Sequence, residues 1–168
     1  MPLDYAWLGQ GLALDLVNTF VPAQNADIVD RWPGLAEWQV GVAQAIDVRR
    51  TATTAIDCLI AEESLSSELR HWINSACRID PEVVVLTDSN ELQRTSGFVG
   101  SVARDLVRLA SGGTQLRRCH APGCGMVFER GRGTQQWCSG ACGNRARVAR
   151  HTARREIPKW AKPEPPRG

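Results

Sequence analysis

Four cysteines in the last third of the chain, Cys119, Cys124, Cys138 and Cys142, are spaced C-x4-C-x13-C-x3-C. Two close pairs separated by a short loop can bring four thiolates to the corners of one tetrahedron, the closed geometry of a structural zinc site. Such a site forces residues 119–142 to fold around a single point, whatever the rest of the chain does. Four sulfurs also leave no open coordination position, so the spacing predicts one structural zinc ion and argues against hydrolytic zinc chemistry. His120 and His151 are ligands by type, but His120 directly follows Cys119 and is poorly placed to share its metal.

The residues around the quartet suit a small finger. Pro122-Gly123 supplies a tight turn between the first two cysteines. Leu116-Arg117-Arg118 reads as a strand leading in, and Met126-Val127-Phe128 as a strand returning beneath the site. Ser139 is placed to cap a helix that would carry Cys142 on its first turn. A knuckle, a hairpin and a ligand-bearing helix start together predict a treble-clef-like arrangement.

Charge divides the chain. Residues 1–116 hold 8 Arg against 15 Asp and Glu, whereas residues 117–155 hold 9 Arg against Glu129 alone. A basic module on an acidic body points to a polyanion-binding end and a separate role for the remainder. In the helix after Cys142, Arg147, Arg150 and Arg154 fall at i, i+3 and i+7 and form one stripe, with Arg145 beside it. The planar fork of arginine binds a phosphate or both acceptors of a guanine edge. Arg117, Arg118, Arg130, Arg132 and Asn144 complete the candidate nucleic-acid contacts.

The first two-thirds read as mainly helical. One apolar periodicity runs Leu35, Trp38, Val42, Ile46, and a second, over about 45–63, carries Val48, Ala52, Ala55, Ile56, Leu59 and Ile60. Ser66 or Ser67 caps a third helix with Leu69, Trp72, Ile73 and Ala76 on its apolar face, ended by Asp80-Pro81. Val83–Leu86 is a short strand with its partner near 92–96, and a further helix over about 97–110 buries Phe98, Val102, Leu106 and Leu109. Ser111-Gly112-Gly113 ends that helix and forms a hinge. The segment Gly11–Thr19 is apolar apart from Asp15 and Asn18, and its type is open between helix and strand. Asp15 and Asn18 are candidates either to reach a bound small molecule or to satisfy backbone groups locally, with the structural role favoured. Trp7, Trp32, Trp38 and Trp72 are candidate pocket walls but more commonly core. Cys58 and Cys77 read as small buried residues. No apolar run approaches a membrane span, and the opening residues lack the pattern of a signal peptide, so a cytoplasmic location is expected.

Trp137-Cys138-Ser139-Gly140-Ala141-Cys142-Gly143-Asn144-Arg145 resembles the signature of the CGNR zinc-finger family of bacterial proteins. In that family the finger follows an N-terminal ABATE domain, whose opening resembles Leu12–Thr19. The resemblance implies a transcription regulator with zinc held by the four cysteines and DNA bound by the finger. It departs in the loop before Trp137, where Gln135-Gln136 stands in place of basic residues. The expected fold is α+β and mainly α: a helical ABATE-like domain with a small β-hairpin over 1–113, a treble-clef-like four-cysteine finger over 114–156, and a disordered tail over 157–168. Three functions stay in play. The favoured one is a DNA-binding regulator whose N-terminal domain senses a small-molecule effector or mediates homodimerisation. The second is an RNA-binding or protein-docking zinc module. The third, an enzyme with the finger as an appendage, is disfavoured: the chain shows no Ser/His/Asp set, no phosphate-binding glycine loop and no paired carboxylates with a companion base.

Overall fold

The structure, a computed structural model, describes residues 8–113, 115–131 and 133–156. The tail expected to be disordered, 157–168, lies outside the described residues, as does Trp7. The chain is mainly helical with small antiparallel hairpins, as its sequence implies. No helix among the described residues is long and apolar enough to cross a membrane.

The undecided opening segment is a helix, α1 (Leu12–Val17), with Ala13, Leu14, Leu16 and Val17 buried. Gly11 precedes it with φ 139°, and a Cβ there would strike the Asp105 carboxylate. That carboxylate accepts the Ala13 N–H at 2.9 Å, so a residue distant in sequence satisfies an orphan donor at the helix start. A minimal hairpin follows, β1 (Phe20–Val21) with β2 (Ala26–Asp27).

The periodicity Leu35–Ile46 does not form one helix. Helix α2 (Gly34–Glu37) stops after one turn, Gln39 adopts φ 50°, and Gly41 caps the start of α3 (Val42–Ile60). Val42 and Ile46 therefore belong to α3 and point outward, while Ala45, Val48, Ala52, Ala55 and Ile56 form its buried face. The apolar spacing is continuous, but the left-handed turn at Gln39 rotates the chain out of register with it.

Helix α4 (Ser67–Ile79) begins as expected, with the Ser66 hydroxyl accepting the Leu69 N–H at 3.1 Å. The hairpin β3 (Val83–Leu86) with β4 (Leu92–Thr95) then leads to α5 (Phe98–Ser111), which buries Phe98, Val102, Leu106 and Leu109. The Asp80 carboxylate accepts from the N–H groups of Gly97 and Gly100 at 2.7 and 2.9 Å, anchoring the start of α5 to the end of α4. Cys58 and Cys77 are half-buried rather than enclosed.

Arg49, buried on α3, forms a two-pronged bond to Asp27 at 2.5 and 2.7 Å and a third to the Thr19 hydroxyl at 2.6 Å. The Arg49 guanidinium holds the Asp27 carboxyl below its ordinary range. A carboxyl depressed on folding adds stability that is complete above its unfolded pKa of about 3.9 and disappears as pH falls through the folded value. Asp27→Asn is expected to cost about 1–2 kcal/mol near neutral pH. That is below the 3–5 kcal/mol of an enclosed pair because Asp27 keeps solvent contact. The gap from the parent protein should close under acid, which urea titrations at several pH values would check.

After Gly112-Gly113 come β5 (Leu116–Arg118), β6 (Val127–Glu129) and α6 (Gly140–Glu156). The glycine pair does not leave the two parts free of each other. Leu116 and Val127 sit in the same buried cluster as Leu14, Ile56, Val102 and Leu106, so the β5–β6 hairpin is built into the core of the helical domain.

Candidate metal centre and nucleic-acid interface

The edge of β6 shows how that hairpin is held. Its pairing with β5 sets Arg117 opposite Phe128, and the flanking bonds Cys119 N–H to Met126 O and Arg130 N–H to Gln115 O mark the bonded pairs. Alternation along an antiparallel ladder turns the backbone groups of Val127 and Glu129 to the other side. No strand among the described residues meets them. The Asn18 side chain donates to Val127 O at 2.9 Å and accepts the Val127 N–H at 2.8 Å. Gln10 repeats the pattern one pleat along, donating to Glu129 O at 3.2 Å and accepting the Glu129 N–H at 2.9 Å. Two side-chain amides thus stand in for a third strand. Asn18 is enclosed and structural; Gln10 carries no signal in the sequence, because a lone glutamine before a glycine resembles any loop residue. Arg108 on α5 binds the Glu129 carboxylate with two nitrogens, and Arg118 binds Asp57 on α3.

The hairpin carries the first two sulfurs. Between them the chain folds back through Cys124 N–H to Ala121 O at 3.0 Å and Gly125 N–H to Cys119 O at 3.1 Å, with Gly123 and Gly125 at φ 73° and 81°. Ser139 caps α6 as expected, its hydroxyl accepting the Cys142 N–H at 3.3 Å. Trp137 lies across the helix start, and a Cβ on Gly143 would approach its ring to 3.1 Å. Gly143 is therefore the residue that lets the indole cover the site.

The four sulfurs lie within 4.8 Å of one another, with Cys124 to Cys138 at 3.7 Å and Cys138 to Cys142 at 3.5 Å. Zinc–sulfur bonds of about 2.3 Å in a tetrahedron require sulfur separations of about 3.8 Å. The cluster thus has the size of a zinc site. Among the thiols themselves protons are unevenly shared. The contact between Cys124 and Cys138 pulls the Cys124 thiol down to about 5 and pushes Cys138 up, while burial pushes Cys119 up. A divalent cation would relieve the competition by taking all four as thiolates. The Cys138 N–H also points at the Cys119 sulfur at 3.5 Å, a backbone donor suited to a metal-bound thiolate.

Residues 115–155 match the CGNR zinc finger family. No curated protein matches the chain. The family match and the sulfur geometry agree that Cys119, Cys124, Cys138 and Cys142 form a four-cysteine zinc-binding module.

Around the CGNR finger the predicted contact residues separate into two kinds. Arg118, half-buried and bonded to Asp57, braces the fold, and Arg145, although exposed, donates to Pro122 O at 3.1 Å. Arg145 thereby ties α6 to the first cysteine turn. Arg117, Arg147, Arg150 and Arg154 are exposed, as is Asn144, which accepts from Arg147 at 2.7 Å. Arg130 donates to the Gln115 side chain at 3.1 Å, and its enclosed Nε has no partner among the described residues. Arg132 lies outside the described residues. Gln135 does not reach outward: it accepts the Gly131 N–H and donates to Trp137 O, holding its own loop. An open cleft of about 550 Å³ separates that loop from Gly143, Asn144 and Arg147, and a second of about 340 Å³ is lined by Arg117, His120, Arg130 and Gln136. Asp15 stands apart, in a cleft of about 330 Å³ with Trp32, Glu37 and Trp38, and burial pushes its carboxyl above the ordinary range.

Proposed function

We propose that this chain is a zinc-dependent, DNA-binding transcription regulator and acts without enzymatic chemistry. The observation that carries the reading is the outer half of α6. Among its described side chains Cys142 and Ala146 are buried, and every position from Arg147 to Arg154 is exposed, with no acidic group among them. A helix half with no buried face gains little from packing on its own chain, and its unopposed arginines suit an anionic partner. Its width of about 10–12 Å suits the major groove, about 12 Å across, where an arginine fork finds phosphates and guanine edges. The sole acid of residues 117–155, Glu129, is already neutralised by Arg108, so the finger meets a polyanion without opposing charge. The helical domain resembles ABATE in its opening, and its cleft at Asp15, Trp32 and Trp38 is where a small-molecule effector would act.

Replacing Arg147, Arg150 and Arg154 with Gln is expected to leave zinc content unchanged and to weaken binding to duplex DNA. For each phosphate no longer neutralised, the slope of log affinity against log salt should fall by about 0.9. Zinc-loaded protein that binds no DNA, or whose salt response ignores all three changes, would overturn the reading; preference for RNA or an acidic protein in the same assay would replace it.

A further inference from the structure

Five of the eleven large hydrophobic residues exposed among the described residues lie away from the finger, on the β3–β4 hairpin. All eight strand residues are exposed, including Val83, Val84 and Val85 at about half, Leu86 at 65% and Leu92 at 62%. Ile79, at the end of α4, is 84% exposed and opens a cleft of about 360 Å³ lined by Trp72, Ala76 and Val99. Two strands alone are marginal in water, and proteins normally blunt an edge strand with lysine, proline or a bulge. Strand β3, Val-Val-Val-Leu, has none of these.

The backbone register says which groups are available. Thr87 N–H donates to Glu91 O, so Val83, Val85 and Thr87 are the positions bonded to β4, and Val84 and Leu86 turn their N–H and C=O to the free edge. We propose that this edge pairs with β3 of a second copy, making a two-fold symmetric, four-stranded antiparallel sheet. The proposal does not depend on the DNA reading. A second copy is favoured because the edge is self-complementary. Only positions of like parity can face each other, so the axis passes through a residue, and Val84 and Val85 are the two at the centre of the strand. An axis at Val85 sets Glu82 against Asp88 of the other copy, a like-charge pair. An axis at Val84 places Val84 against itself, Val83 against Val85 and Glu82 against Leu86, with no like-charge pair, and leaves Glu82 its 2.7 Å bond to Arg94 on β4. Stable interfaces bury at least about 1,200 Å² in total, more than one strand pair supplies, so the dimer is expected to be weak and concentration-dependent.

The test is the association state of the full, zinc-loaded chain by sedimentation equilibrium. Val84→Pro removes an N–H that the hairpin itself does not use, so the fold is retained while the edge is blocked. The parent protein should be a dimer, and the variant should dissociate at least about 30-fold more readily, the loss of two hydrogen bonds at the axis. Leu86→Glu, which sets a like charge against Glu82 of the other copy without touching the backbone, should act in the same direction and decides the matter if the proline variant misfolds. Hydrogen exchange at the Val84 and Leu86 amides should be slow in the dimer and fast on dilution. A monomeric parent protein, or a dimer that survives the edge substitutions with those amides unprotected, would overturn the proposal.

Discussion

Stripping zinc with a chelator is expected to melt α6 and to lower the melting temperature of the helical domain with it. The buried cluster at the finger consists of three of the zinc ligands, Ala121, Met126 and Phe128, which is too little apolar material to fold unaided. Structural zinc contributes about 10–16 kcal/mol at neutral pH, comparable to or above the whole stability of a domain of about 5–15 kcal/mol. Without it, α6 is left with Ala146, the Ser139 cap and the Arg145 bond to Pro122 O as anchors. A hinged finger would melt alone and leave the remainder unchanged. Here Leu116 and Val127 belong to the helical core, so disorder entering at the cysteines reaches Leu14 and Ile56 through β6. Far-UV circular dichroism should report the loss of α6, and amide exchange should report faster opening of α1 and α3. Cys142→Ser should reproduce both effects without chelator. A helical domain whose exchange and melting ignore zinc would show that the two parts are energetically separate. Acid should act like chelation, because protons compete with the metal for the four thiolates.

The finger was largely legible because its information is local. Cysteine spacing, the Pro122-Gly123 turn and the Ser139 cap each act within a few residues, and each is found in the structure. The main helices were also legible, since Ala45 to Ile56 and Phe98 to Leu109 keep one helical period. Three features escaped, each for a physical reason. The turn at Gln39 depends on a single left-handed residue inside an unbroken apolar pattern. The bonds of Arg118 to Asp57 and of Arg145 to the Pro122 carbonyl join residues that only folding brings together. The docking of the hairpin on α1 joins residues 109 positions apart through amide groups, which no periodicity encodes.

Asn18→Ala is expected to destabilise the protein more than any other single polar substitution outside the cysteines. The side chain is enclosed; its bonds to β6 go to the N–H and C=O of Val127, itself fully buried. Alanine leaves both groups without partners and without room for a strand to replace them. Each unsatisfied buried group costs about 1–3 kcal/mol, so a loss of about 3–4 kcal/mol is expected. That corresponds to a fall in melting temperature of roughly 6–16 °C for a domain of this size. Asn18→Asp is the sharper test, since it keeps the acceptor for the Val127 N–H and loses the donor to the Val127 carbonyl. A ligand-contacting residue would tolerate such a change in stability while losing ligand affinity. A strand substitute would not, because a carboxylate facing a buried carbonyl oxygen adds repulsion to the lost bond. Gln10→Ala should cost less, because its two bonds to Glu129 lie nearer solvent and water can replace them. The ordering Asn18→Asp and Asn18→Ala well below Gln10→Ala, read by chemical denaturation at constant zinc, would establish α1 as the third strand's proxy and the route by which the helical domain holds its finger.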